Sequence, residues 1–490
     1  MIRPAGVLLV AAGLLAGCSS SQPVAPAVPA KLADRLAGQV TAEAMFTHLH
    51  ALQDIAKANK ANRADGTAGF NASIEYVAKA LRDKGFDVTT PQFSRLDTTS
   101  PGKPTLTVAK VNYPVDQASL LVRTPAGGVT GQVVRPTKPA GCAAADYPAT
   151  APKGAIAVAD DTGCSVVVKQ NAASARGAAA LIVVSPPSKT GAPPGLFPPD
   201  YYDQLKLPVA VAGHEADTAL RRTTGPVKLL LDATTVKITS RNVLAQTKTG
   251  SAHDVVMVGA HLDSVPASPG INDDGSGVAA VLETALQLGP SPSVTNAVRF
   301  VLWGAAEQQL GGSTDYVFGL DRDQLNDIAL YLNFDMLGSP NAGFFTYDGD
   351  QSASPSRDIA PEDVPAGSAG IERTLAGYLN LAGKRPADMP LSAGTDYSPF
   401  LVAGVPIGGM TAGASQQKTA VQARLWGGKP GAAFDPNYHS ARDTVDNINS
   451  VALAVMGSGA AFAVGSYAQS IDGVNGVAPR DKRHRASLRP

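Results

Sequence analysis

Short apolar runs along this chain stop abruptly at polar residues, and the stops fall in a regular order. Val255-Val256-Met257-Val258 is apolar, mostly β-branched and brief, which suits a buried strand of a parallel sheet better than a helix. It runs into the polar stretch GAHLDSVPASPGINDDGSG, Gly259 to Gly277. The segment VAAVLETALQL that follows has apolar residues on a helical period, with Asp274 and Ser276 available as caps, so the pattern predicts strand, polar loop, helix. VRFVLW (298–303) and IALYLNF (328–334) repeat the strand pattern. Earlier in the chain, ALQDIAKANK and ASIEYVAKALRDKG read as amphipathic helices, followed by a strand-like FDVTTPQF. From about 110 to 235 the character changes to short β segments (ASLLVR, GAIAVAD, AALIVVS, LPVAVAG) broken by Pro and Gly, and NVLAQ at 242–246 then resumes a strand pattern. No internal repeat is evident.

Chemistry-bearing residues sit where these runs end, the edge at which open α/β sheets bind ligands. His261, Asp263, Asp273 and Asp274 follow the first run, Glu307 the second and Asp335 the third. Tyr438-His439 lies in FDPNYHSARDTVDNI, ahead of a C-terminal helical segment. Any one of these is more simply a surface residue; three consecutive strand ends carrying one each, with a late His, point to a metal site. His261, Asp273, Glu307, Asp335 and His439 supply two imidazoles and three carboxylates, a mix suited to zinc rather than to calcium, which takes oxygens alone. Five ligands exceed one tetrahedral ion but serve two if Asp273 bridges. Asp263, two residues after His261, is expected to orient that imidazole through its second nitrogen.

GAHLDSV, PGINDDGSG, VRFVLWGA, LNFDMLGSPNAGFF, DYSPF, GVPIGGMTAGA and YHSARDTVDNIN, spread over roughly 240 to 455, together resemble the M28 family of zinc aminopeptidases, close to the secreted streptomycete type. The resemblance implies two zinc ions, one held by His261, Asp273 and Asp335 and the other by Asp273, Glu307 and His439. It further implies that Tyr438 stabilises the tetrahedral intermediate, a job open to a phenol donor; a packed aromatic beside a ligand is the alternative. The implied reaction is removal of N-terminal residues from peptides or proteins. One departure bears on rate. The family usually reads WGAEE, its first Glu the general base, whereas this chain reads Trp303-Gly304-Ala305-Ala306-Glu307, with Ala306 at the base position. A positioned base contributes about 10² to 10⁴ in rate. A weak or inactive relative, a deliberately removed base and rescue by another acid all fit, and Gln308 cannot serve. Close relatives can also carry a disulfide across the Tyr-His pair, where this chain has Asn437 and Arg442. Two further functions stay open: a pseudo-peptidase that binds peptides or surface proteins, and a glutaminyl-cyclase-like amide chemistry on one zinc.

CSVVVKQNAASARGAAALIVV resembles a protease-associated (PA) domain. It implies a role in shaping access to the cleft or contacting a protein partner, with a structural insert as the alternative. NRADGTAG at Asn62 to Gly69 resembles the Arg-containing turn near the start of the family's catalytic domain. The expected fold is therefore α/β: a three-layer α/β/α sandwich on a mixed, mostly parallel sheet, plus an inserted β-rich PA domain. Residues 31–105 form the N-terminal part of the peptidase domain, 110–235 the PA domain and 236–475 the dizinc domain.

The amino terminus locates this chemistry. Arg3 followed by GVLLVAAGLLAG is too short for an ordinary membrane span and reads as a signal peptide, residues 1–17. Leu15-Ala16-Gly17-Cys18 resembles a bacterial lipobox, implying lipid on Cys18 and anchorage on the outer face of the cell membrane; an ordinary signal peptide is the alternative. Residues 18–30, rich in Ser, Pro and Ala, are then a tether. With Cys18 accounted for, Cys142 and Cys164 remain as an even pair in an oxidising compartment, and a disulfide between them is expected, with two free thiols as the alternative. At 490 residues the chain has room for more than one domain. Its 41 basic and 41 acidic residues give no reason to expect a nucleic-acid partner. Only residues 476–490, ending RDKRHRASLRP, are biased, and they read as a solvated, disordered basic tail, with contact to an anionic surface as the lesser alternative.

Overall fold

The computed structural model describes residues 31–149, 152–185, 192–198, 200–353, 356–472 and 476–488. The expected signal peptide, the expected lipid site Cys18 and the expected tether lie outside the described residues. An eight-stranded mixed sheet organises the chain, in the order Val88–Thr89, Val243–Gln246, Asn296–Trp303, Ser251–His261, Ile328–Phe334, Ile407–Thr411, Phe345–Tyr347, Ala387–Met389. Its four central strands are mutually parallel, and antiparallel pairs flank them.

The apolar runs are continuous because both faces of the sheet are covered. Val256, Val258 and Ala260 pack with Val298, Phe300, Leu302, Leu330 and Leu332 into one core, under the helices Ala42–Ala58, Ala68–Asp83, Gly275–Leu288, Ser368–Leu381 and Ser450–Gln469. Alternate residues Val255, Met257, Val301, Trp303 and Tyr331 point the other way, into a second core with Val317, Leu325 and Phe400 from the helices Gly311–Phe318, Arg322–Asp327 and Ser398–Val402. This is a three-layer α/β/α sandwich. Ser450–Gln469 is long and apolar enough to span a membrane, yet Leu453, Met456 and Val464 are buried in the first core. Gly465 lets the helix Leu32–Gln39 lie against it, since a Cβ there would come 2.6 Å from Ala33 Cα.

Residues 105–230 build a separate β-rich unit. A five-stranded sheet runs Asp116–Gln117, Val209–Ala212, Ala180–Val184, Ile156–Asp160, Val133–Val134, and a four-stranded sheet runs Val111–Pro114, Thr105–Val108, Val227–Leu230, Val129–Gly131. Leu106, Ile182, Val227 and Leu229 belong to the core shared by the two sheets. Cys142 and Cys164 are disulfide-bonded. A ribbon of Gln92–Ser100 against Thr234–Arg241 links this unit to the sandwich. Its base is held by buried Asp65, which accepts from Arg95 Nε at 2.6 Å and Ser240 Oγ at 2.5 Å. ASLLVR, expected as a β segment, is instead a turn: Val122 N donates to Ser119 O at 3.0 Å, while the Ser119 hydroxyl donates to Val122 O at 2.7 Å. A local hydroxyl partner competes here with a ladder.

The C-terminal segment also departs from expectation. Residues 476–488 are docked across the amino ends of the central strands rather than solvated. Arg480 Nε pairs with Asp327 at 2.6 Å. The fully buried Arg483 side chain donates to His253 O at 3.0 Å and Asn326 O at 2.6 Å and pairs with Asp254. Arg485 donates to Ile328 O at 3.0 Å and to Gly404 O. Strand and turn carbonyls left open at this edge are what the guanidinium forks satisfy, so this basic run is structural. Arg483→Ala is expected to cost about 2–4 kcal/mol in guanidinium denaturation, because it strands buried carbonyls and Asp254; a change within about 0.5 kcal/mol would mark the tail as surface.

Candidate metal centre

His261 pairs with Trp303, and Gly259 with Asn333, so the three strands end at one level and deliver His261, Glu307 and Asp335 to one edge. The loop from Leu262 to Asp274 folds around Arg63, which is fully buried. Its guanidinium donates to Pro269 O at 3.0 Å and to the carbonyls of Leu262 and Gly270, and its backbone N donates to Ser264 Oγ at 3.0 Å. Burial draws the Arg63 pKa down, against the opposing pull of Asp263, Asp443, Asp274 and Asp273. Asp274 caps the helix Gly275–Leu288 by accepting from Gly277 N at 2.9 Å. The same carboxylate accepts from Met336 N and His261 N, each at 3.1 Å, so it ties both strand ends to the helix start. Gly277 is required by this approach, because a Cβ there would lie 2.0 Å from Phe334 O.

Asp273 divides its oxygens between the two imidazoles. Oδ1 lies 3.2 Å from His261 Nε2 and Oδ2 3.1 Å from His439 Nε2, which is also 3.2 Å from Glu307 Oε1. One donor atom each from His261, Asp273 and Glu307 lie within 4.8 Å of one another, as do one each from His261, Asp274 and Asp335. Ala305, Met336 and His439 adopt positive φ of 55°, 59° and 56°, so left-handed backbone flanks Ala306, follows Asp335 and carries His439 itself. The His439 side chain is 37% exposed against 8% for His261, which sets the His439 side as the open one.

Asp263 takes a different task from the one expected. His261 Nδ1 is held by the backbone carbonyl of Asp263 at 3.0 Å, and the nearer carboxylate oxygen is 3.8 Å away. The carboxylate instead accepts from Ala306 N at 3.0 Å and Glu307 N at 3.2 Å, fixing the turn that carries Glu307. The cause is geometric: the chain bends after His261 so that its carbonyl reaches the imidazole first. Three further residues were quoted in motifs but carried no assigned role. Asp443, from YHSARD, accepts from Asn272 N at 2.6 Å and Asp273 N at 3.1 Å. Asp396, from DYSPF, is buried and accepts from Ser313 Oγ at 2.5 Å. Arg63 comes from NRADGTAG. A motif shows that a charged residue is present; its partners lie up to about two hundred residues away, as with Arg63 and Pro269.

Burial pushes the Asp263 and Asp335 carboxyls up to about 7, and Glu307 adds to both. Asp273 goes the other way: hydrogen bonds from His261 and His439 overcome its burial and hold it well below the usual range. His439 is raised to about 10 by Asp273 and Glu307. Burial opposes protonation of His261, but Asp273, Asp335 and Asp274 outweigh it and raise its pKa. Protons thus stand where cations would neutralise the acids. Glu307 Oε1 and Asp335 Oδ1 are buried and form no hydrogen bond, Glu307 Oε1 meeting His439 Nε2 only as an ion-pair contact at 3.2 Å. Unsatisfied carboxylate oxygens beside imidazole nitrogens fit a zinc donor set. A cavity of about 310 Å³ opens onto His261, Asp273, Glu307 and Asp335, with Ala306, Tyr438 and Asp396 in its wall.

Comparison with known proteins agrees with this geometry. Residues 242–464 match Peptidase family M28, and residues 129–220 match the PA domain. A probable lipoprotein aminopeptidase, LpqL, of Mycobacterium tuberculosis is 48% identical over 482 residues, covering 96% of this chain and 95% of that one. An aminopeptidase of Pseudomonas aeruginosa is 38% identical, covering 84% and 78%. The crystal structure of a zinc aminopeptidase from Bacillus subtilis matches with TM-score 0.50 at 25% identity, covering 89% of this chain and 98% of that one.

A pH-dependent metal effect follows. Asp263 and Asp335, near 7 in the fold against about 3.9 unfolded, stabilise the metal-free fold fully only below about pH 3.9 and lose that contribution progressively as pH rises to 7. His439, near 10 against about 6.5 unfolded, contributes below about pH 6.5 and loses that contribution as pH rises toward 10. Zinc must displace these protons at acid pH and replaces missing ones at alkaline pH. Stripping metal with a chelator is therefore expected to lower the melting temperature more at about pH 8 than at about pH 5.5; the reverse order in calorimetry would contradict this charge balance.

Proposed function

The chain belongs to peptidase family M28, and from that premise we propose a lipid-anchored, extracytoplasmic dizinc aminopeptidase that releases N-terminal residues from peptides and turns over slowly for want of a base at Ala306. The observation that carries the reading is the division of Asp273 between His261 and His439, with unsatisfied oxygens on Glu307 and Asp335. In this reading His261, Asp273 and Asp335 hold one zinc ion, and Asp273, Glu307 and His439 the other. Zinc bound there would supply Lewis acidity toward a peptide carbonyl and would lower the pKa of water toward neutrality.

The chain's own groups do the rest. The Asp263 carboxylate orients the Ala306–Glu307 turn. Tyr438 stacks on His439, ring centroids 3.8 Å apart, and burial with the charges of Asp273, Glu307 and Asp335 raises its pKa. Its phenol keeps its proton at neutral pH and serves as donor to the oxygen on which charge develops. Leu310, Met336 and Met389 line the cavity and favour an apolar first side chain. Ala306 presents a methyl group to the same cavity, where the family resemblance expects the carboxylate that takes water's proton. That methyl also supports a second reading, a pseudo-peptidase that retains peptide N-termini. The lipoprotein description of the mycobacterial relative supports the anchor on Cys18.

Ala306→Glu is expected to raise kcat on leucyl p-nitroanilide by about 10²- to 10⁴-fold in the zinc-loaded protein. Wild type already at the variant's rate would refute the lost base, and two inactive proteins would refute the peptidase reading. Asp263→Asn offers one oxygen to two N–H groups. It is expected to weaken the Glu307-side zinc about 10- to 100-fold, measured by chelator competition, and to spare the other; equal loss of both ions would contradict the role given to Asp263.

A further inference from the structure

A second group of oxygen donors lies beside the cavity wall, on the segment that leaves the strand Phe345–Tyr347. Asp348, Asp350 and Glu372 each offer a carboxylate oxygen within 4.8 Å of the others. Asp348 and Glu372 are 2% and 6% exposed, while Asp350 is at the surface. Ser352 connects a fourth acid: its N donates to Asp348 Oδ1 at 2.9 Å and Asp350 Oδ1 at 3.1 Å, and its hydroxyl donates to Asp388 Oδ2 at 3.3 Å. Burial raises the Glu372 carboxyl to about 7, and Asp350, Asp388 and Asp348 add to the rise.

Thr346 supplies an independent sign. Its side chain is fully buried, and its hydroxyl has no hydrogen-bond partner among the described residues. Leaving a buried hydroxyl unpartnered is costly, because its hydration is lost and nothing replaces it. Alternation along the strand puts Thr346 on the face shared by Phe344 and Asp348, away from Tyr347. Phe344 packs in the same core as Ile371 and Leu375 of the helix Ser368–Leu381, which carries Glu372. Parallel register sets Asp388 directly opposite Thr346. The orphan hydroxyl therefore faces the acids.

We propose that Asp348, Asp350 and Glu372 form a calcium site, with Asp388 and the Thr346 hydroxyl completing its oxygen shell. The donors are all oxygen, which excludes the preference for nitrogen and sulfur that marks zinc. Several carboxylates drawn from a loop, a helix and a strand suit calcium better than magnesium, which demands near-ideal octahedral geometry and keeps its waters. Tyr347 and Met389, the neighbours of Asp348 and Asp388, line the metal-centre cavity, so the ion would brace that wall.

Isothermal titration of the full, zinc-loaded protein with calcium chloride tests this. One ion is expected, with Kd of about 10⁻³ M or tighter and zinc content unchanged. Glu372→Gln keeps an acceptor for Asp350 N and is expected to weaken calcium at least tenfold. Asp350→Asn, an exposed change, is expected to do the same and carries the test if Glu372→Gln fails to fold. Absence of binding at about 10 mM calcium, tighter binding of magnesium than calcium, or unchanged affinity in Asp350→Asn would overturn the proposal.

Discussion

Crowding of buried acids is the constraint on which the rest of this structure turns. Asp263, Asp273, Asp274, Asp396 and Asp443 are buried close together, with the half-buried Asp335 and Glu307 beside them, and one buried guanidinium and two imidazoles face that charge. Taking ionised carboxylates out of water is costly unless each finds donors or cations. The protein divides the work. Asp263, Asp274 and Asp443 spend their oxygens on backbone N–H groups and so become scaffold. Asp273, Glu307 and Asp335 lie beside the imidazoles, two of them with oxygens left without a hydrogen bond, and these are the oxygens that the proposed zinc ions would balance.

That division explains why the loop after His261 is so heavily tied. A metal ligand is useful only if its position does not follow the ion. Arg63 draws Leu262, Pro269 and Gly270 onto one fork, Asp274 joins the ends of two strands to a helix start, and Asp443 fixes the backbone of Asn272 and Asp273. The contacts come from an N-terminal turn, three strand ends and a C-terminal loop, so the centre can form only when the sandwich is complete. The β-rich unit enters through the ribbon whose base is held by Asp65, two residues beyond Arg63, which puts the insert and the metal loop on one short turn of chain.

On the proposed reading, Ala306 lets the site keep one property while losing another. Holding metal depends on the ligand atoms and the amides that place them, whereas turnover depends in addition on a proton acceptor. The Asp263 carboxylate receives the Ala306 and Glu307 amides whatever side chain stands at 306. On that reading metal affinity and rate are separable at a single position.

The sandwich, and the polar residues gathered at its strand ends, are legible in the chain's own pattern. A strand covered on both faces is apolar at nearly every position, so Val255–Val258, Val298–Trp303 and Ile328–Phe334 are legible as runs despite Arg299 and Asn333 within them, and the polar residues at their ends are legible as an edge. Local capping was equally legible at Asp274. Tertiary structure alone decided what those polar residues touch. Asp263 stands two residues from His261, yet its carboxylate goes to amides more than forty residues away, because backbone direction after the strand set its reach. The basic run at 480–485 has the composition of a solvated tail, and only the open carbonyls at the amino ends of the strands turned it into a strap. Periodicity reports burial, which is a property of a segment; hydrogen-bond partnership across the chain is a property of the assembled fold, and no local pattern encodes it.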